Sequence, residues 1–160
     1  MKFTPDMITQ DMITAAENVF VAMAFAETIR PIVRKYQTRI LKRHQYHISP
    51  EFTRYGEPDK IILNPEDSWL LADADFQVYH AECKKARDAA KLKVENDDFC
   101  PLLVAESLQR DAEHALVAAM EPLTGLSADQ LLCSALDNYK KYLDLTLKLL
   151  APFVKQKRAA

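Results

Sequence analysis

Acids and imidazoles carry most of this chain's chemical potential. Asp73 and His80 lie seven residues apart on one expected helical face, beside Phe76 and Cys83. Asp111 precedes His114 by three residues, with Glu106, Arg110 and Glu113 around them. Glu17 and Glu27 fall in an apolar stretch, and His44 and His47 are three apart in a basic one. Inward carboxylates and imidazoles on helices are the material of a di-metal centre, which takes a Glu from each of two helices and an Glu-x-x-His from each of two more. No Glu-x-x-His occurs here, so no metal ligand and no cofactor is assigned. The expected roles are plainer. Asp73 and His80 form the polar flank of a core stripe, Glu27 is partly buried and pairs with Arg30 and Arg34, and Glu106, Glu113 and His114 share a solvated face with Arg110.

Nucleophiles are scarce. Neither Gly-x-Ser-x-Gly nor His-Glu-x-x-His is present, and no serine has a His–Asp escort. Cys100 precedes Pro101 at an expected helix start, where the dipole lowers a thiol pKa, but Asp97 and Asp98 oppose that. Cys83 sits on a packing stripe and reads as a small core residue. No catalytic residue is assigned.

The most unusual block is basic. Residues 28–50 hold Arg30, Arg34, Lys35, Arg39, Lys42 and Arg43, with His44 and His47 and no acid at all. Tyr36 and Tyr46 are interleaved, and Phe52, Arg54, Tyr55 and Gly56 follow at once. Cations alternating with aromatics suit an anionic partner. Arg30, Arg34, Lys35, Arg39, Lys42, Arg43, Tyr46, Phe52, Arg54 and Tyr55 are therefore the candidate partner-binding residues. The charge pattern of the whole chain has a structural explanation as well. Residues 51–82 carry eight acids against two bases, 83–93 are basic again, and 94–137 carry nine acids against Arg110. Helices that begin acidic and end basic follow their macrodipole. The Pro122–Ser127 connection resembles a helix-turn-helix joint, but residues 128–138 offer Asp129 and Asp137 and no Lys or Arg for DNA phosphates.

These residues must be positioned by helices. Ile8, Met12, Ala15, Val19, Ala22, Ala26, Ile29, Val33, Tyr36 and Ile40 step by fours and threes, as does the run Trp69, Ala72, Phe76, Tyr79, Cys83, Ala86, Ala90. Residues 101–121 and 128–151 give two more amphipathic stretches, the last with Leu132, Leu136, Tyr139, Leu143, Thr146 and Leu150 on one face. Thr4-Pro5, Asn64-Pro65 and Cys100-Pro101 mark helix starts, Ser127 with Gln130 makes a capping box, and Pro122 and Gly125 close the third helix. Pro31 should kink or split the first. The expected fold is all-α: an antiparallel four-helix bundle with a long Pro-kinked first helix and one long loop at about 47–64, forming a single domain over 1–160 with its last few residues disordered.

Bulk properties bound the function. Two glycines in 160 residues, Gly56 and Gly125, exclude the dinucleotide fingerprint and the phosphate loop, which need backbone without Cβ against phosphate. A net charge of −2 matches neither a general nucleic-acid binder nor a DNA mimic. Three separated cysteines with no Cys-x-x-Cys fit a reducing cytosol. No signal-peptide layout is seen, and the longest unbroken apolar run, Val19 to Ala26, is eight residues, so a soluble, cytoplasmic chain without a membrane role is expected. The leading expectation is a non-enzymatic interaction or regulatory protein that takes a protein partner on the basic face and loop, and that forms a homodimer. The alternatives are a carboxylate and histidine (ferritin-like) metal-binding bundle enzyme and a nucleic-acid-binding accessory protein using Arg30–Arg43.

Overall fold

Residues 4–44, 67–90 and 101–159 are described by the computed structural model, and among them every regular element is a helix and no strand occurs. A 3-10 turn at Pro5–Met7 precedes α1 (Gln10–Arg43); then come α2 (Ser68–Leu71), α3 (Ala74–Ala89), α4 (Pro101–Thr124), α5 (Ala128–Ser134) and α6 (Leu136–Ala159). The expected loop, with Tyr46, Phe52, Arg54, Tyr55 and Gly56, lies outside the described residues, as do His47, Asp97, Asp98 and Cys100.

The first stripe holds from Met12 onward, whereas Ile8 lies ahead of α1 and is half-buried. Met12, Ala15, Val19, Ala22, Ala26, Ile29, Val33, Tyr36 and Ile40 are all buried. The helix that carries them begins later than Pro5, because Thr4-Pro5 opens only the 3-10 turn and Thr9 Oγ1 accepts the Met12 amide at 3.3 Å at the start of α1. At 34 residues α1 is about 50 Å long. It contains a stretch long and apolar enough by length and composition to cross a membrane, a property that the unbroken run of eight residues did not register. In that stretch 39% is buried in the protein's own core.

Three prolines sit inside helices: Pro31 in α1, Pro122 in α4 and Pro152 in α6. An interior proline removes a hydrogen bond and crowds the preceding turn, at about 3 kcal/mol or more. Packing on both sides outweighs that cost. Ile29 and Val33 flank Pro31, Leu150 and Val154 flank Pro152, all four are buried, and the prolines themselves face outward. The end of α4 is set by Gly125 instead of Pro122. Gly125 has φ +68, a left-handed conformation that glycine adopts without Cβ strain, and its amide donates to Glu121 O at 2.8 Å.

Two expected helices are broken in two. The stretch after Pro65 divides at Ala72 and Asp73, which leaves Ala72 exposed and makes Asp73 the N-cap of α3. The last stretch opens with the Ser127–Gln130 capping box, breaks at Ala135 in extended backbone, and resumes as α6, which runs on to Ala159. Tyr139, Leu143, Thr146, Leu150 and Val154 line the buried face of α6, whereas the break turns Leu132 and Leu136 outward.

The described helices sort into two compact units. One comprises residues 1–22 and 108–160, the other residues 23–107, and α1 and α4 contribute to both. In the second unit α1 and α3 run antiparallel: Arg43 meets Asp75 near the start of α3, while Tyr36 Oη donates to Glu82 Oε1 at 2.9 Å further along it.

Candidate functional site

Two features compete for a functional role: the exposed cations of α1, and a cluster at its C-terminal end. The cluster is built on Asp73. N-terminal amides of a helix lack intrahelical acceptors, and a carboxylate just before them supplies one. Asp73 Oδ1 accepts from the Asp75 amide at 2.9 Å and the Phe76 amide at 3.1 Å. Its second oxygen faces α1. His44 Nε2 donates to Oδ2 at 2.5 Å, and Arg43 Nε lies 3.3 Å from the same oxygen. Arg43 also donates through Nη2 to Asp75. The His44 ring packs against Trp69, with centroids 5.0 Å apart.

The Asp73 side chain is only 2% exposed. Burial pushes its carboxyl upward, but the hydrogen bonds from His44 and from the Phe76 amide, the Arg43 charge and the Asp75 amide outweigh this and hold it below the ordinary carboxylate value. The Arg43 guanidinium is pushed up by its hydrogen bond to Asp75 and its proximity to Asp73. Both oxygens of Asp73 are thus spent on structure, one on the cap of α3 and one on the end of α1.

This corrects the sequence-based pairing of Asp73 with His80. Among the described residues no hydrogen bond or ion pair joins them; the His80 ring stacks on Phe76 at 6.3 Å. Glu27 is exposed, not partly buried, and among the described residues it forms no ion pair with Arg30 or Arg34. No group of three or more His, Cys, Asp and Glu side chains able to hold a metal occurs among the described residues. Asp111 and His114 are both exposed. The His114 ring stands edge-on to Tyr139 at 6.1 Å, and Glu113 accepts from Gln109 Nε2 at 2.8 Å. Burial pushes the Cys83 thiol up to about 12, with Glu82 adding to it, so the sulfur stays protonated and behaves as core.

The candidate cations of α1 divide into two kinds. Arg43 is held by Asp73 and Asp75, and Lys35 Nζ lies 4.5 Å over the Tyr36 ring. Arg30, Arg34, Arg39 and Lys42 are exposed, away from the buried Ile29, Val33, Tyr36 and Ile40, and among the described residues none of the four forms an ion pair. Sequence reasoning missed the Asp73 cluster and a second one, in which Glu17 takes Lys157 at 2.8 Å and Arg158 at 3.1 Å. Asp-Ala-Asp ahead of an apolar run was the available signal for the first, because Asp is a preferred N-cap. Comparison with known proteins found no matching family model, no matching curated protein and no matching solved structure.

Proposed function

We propose that this chain is a non-enzymatic helical interaction protein that takes an acidic protein partner on the outer face of α1. One observation carries the proposal: Arg30, Arg34, Arg39 and Lys42 stand exposed along one helix, without ion pairs among the described residues. Residues 28–44 hold no acid, and the nearest carboxylate before them on the helix, Glu27, forms no ion pair with Arg30 or Arg34 among the described residues. The four charges span about three helical turns and spread over about half of the helix circumference, a broad cationic surface that suits a carboxylate-rich partner. The adjoining 47–64 segment, with Tyr46, Phe52, Arg54 and Tyr55, is proposed to extend that surface. An antiparallel four-helix bundle with a bend at Pro31, a single domain, a cytoplasmic location and a homodimer belong to the same proposal. The antiparallel course of α1 and α3 supports the bundle.

The test spares Arg43, because its loss would disturb the Asp73 cluster. Arg34→Glu, Arg39→Glu and Lys42→Glu are combined in the full chain, and helicity is checked by circular dichroism. The wild-type chain is expected to retain partners that the variant releases. A variant that keeps its helicity and captures the same proteins as the wild type would overturn the assignment of this surface. Binding of single- or double-stranded nucleic acid that weakens steeply with salt would favour the nucleic-acid alternative.

A further inference from the structure

We infer that the acidic partner of α1 is a second copy of this chain, docking through the exposed apolar and acidic surface around α5. The inference rests on the proposed use of the α1 face and names its occupant. From Asp111 to Tyr139 the chain carries Asp111, Glu113, Glu121, Asp129 and Asp137 and no Lys or Arg. It is the counterpart of residues 28–44, which carry cations and no acid.

Around α5 exposed acids and exposed apolar side chains occur together. Leu131 points into the core, while Asp129, Leu132 and Cys133 are exposed, and Leu136 and Asp137 continue the exposed surface where α6 begins. Positions 129, 132 and 133 follow the i, i+3, i+4 spacing of one face of α5, and Leu136 lies beyond the break at Ala135, at the first position of α6. Leu126 and Glu121 are exposed just before it. Leu126, Leu132 and Leu136 face solvent at 40, 39 and 57% exposure within eleven residues, and grouped apolar exposure of this kind marks contact surfaces. Apolar side chains give such a contact its affinity, while the carboxylates choose a cationic partner. The cations that fit are on the same molecule, at Arg30, Arg34, Arg39 and Lys42, where the described residues leave them without ion pairs. A second copy supplies both halves of the match.

The experiment uses the full chain in sedimentation velocity, over a range of concentrations at about 50 mM and about 500 mM salt. Self-association is expected, either as a single dimer or as a concentration-dependent series, with the dissociation constant rising about tenfold or more at the higher salt. A basic-face variant (Arg34→Glu with Arg39→Glu) and an acidic-face variant (Asp129→Lys with Asp137→Lys) should each sediment as a monomer with wild-type helicity. Mixed in equal amounts, they should associate again, because each presents the charge that the other lacks. An amine–thiol crosslinker applied to a mixture of light and isotope-labelled chains should join Cys133 of one copy to Lys35 or Lys42 of the other. A monomeric wild-type chain, or two variants that associate as well as the wild type, would overturn the inference. If the wild type is monomeric while the basic-face variant still loses a different protein partner, self-docking fails and the interaction function stands. If that variant also keeps every partner, both fail.

Discussion

Helix α1 is tied to a different helix towards each end, and the two ties use similar groups in different surroundings. Near the C-terminus, Asp73 receives His44 and Arg43, with its side chain 2% exposed and its other oxygen on two amides of α3. Near the N-terminus, Glu17 receives Lys157 and Arg158 from the last turn of α6, with its side chain 23% exposed and its cations at 36 and 51%. Both carboxyls titrate below their ordinary values, Glu17 chiefly through its hydrogen bonds to Lys157 and Arg158. The direction is shared, but the consequences differ. Water can replace either partner of Glu17 at little cost, whereas at Asp73 it would have to enter a closed site and leave helix amides unpaired.

The largest expected effect follows from removing the buried partner. Asp73→Ala takes away the α3 cap and the acceptor of His44 and Arg43 together, and should lower unfolding stability by about 2–4 kcal/mol in urea titrations. A loss under about 1 kcal/mol would make the two ties equivalent and break the comparison. Asp73→Asn sharpens it. Asn caps a helix about as well as Asp, so this variant keeps the bonds to the Asp75 and Phe76 amides but replaces the charged acceptor of His44 and Arg43 with an NH2 donor; about 1–2 kcal/mol is expected. The difference between the two variants isolates the cap from the clasp.

Acid should reveal the same ranking. A carboxyl whose folded value is depressed adds stability that is complete above its unfolded value and is lost as pH falls through the folded one. For Asp73 that window lies below its ordinary 3.8, and for Glu17 below 4.5. In stability measured from pH 6 downward, Asp73→Asn should flatten the decline below about pH 3.8, and Glu17→Gln should flatten a shallower one that begins at slightly higher pH. A wild-type slope unchanged by Asp73→Asn would mean that His44 and Arg43 contribute nothing to holding that charge.

Why the Glu17 tie and the Asp73 cluster escaped the sequence is a matter of range. Periodicity within α1 placed Met12 through Ile40 correctly because a helix face is set by residues three and four apart. Gly125 and the Ser127–Gln130 box were legible for the same reason, since their bonds close within a few residues. The pairing of His44 with Asp73 spans 29 residues and that of Glu17 with Lys157 spans 140, so neither leaves a local trace. Asp73 also suited two local states, a polar flank within one helix or the cap of a new one. The competing helix lost because the cap satisfies two amides and turns the second oxygen towards α1. Pro31 gave a local break signal that does not split α1, since buried Ile29 and Val33 flank it. The candidate interaction residues were legible as cations, but which of them remained exposed without ion pairs depended on where Asp73 and Asp75 stood.

The smallest expected effect is at Glu17, and it is the one that measures the contrast. Glu17→Gln removes the charge that Lys157 and Arg158 meet, and keeps a polar side chain of the same length. Exposed pairs are worth about 0.2–1 kcal/mol, because the Coulomb gain in water is offset by the entropy of holding long side chains still. Lys157 and Arg158 also lose little when Glu17 goes. They remain in the last turn of α6, where cations complement the helix dipole, and Lys157 Nζ can still donate to Thr14 Oγ1, at 3.2 Å in the wild type. The cost of Glu17→Gln should therefore stay under about 1 kcal/mol and vanish in about 1 M salt, where the screening length falls to about 3 Å. Asp73→Asn, measured side by side, should keep most of its cost at that salt concentration, since a buried pair is screened far less. Equal salt sensitivity in the two variants would show that solvent reaches Asp73 as freely as Glu17, and the distinction between the two ends of α1 would fall.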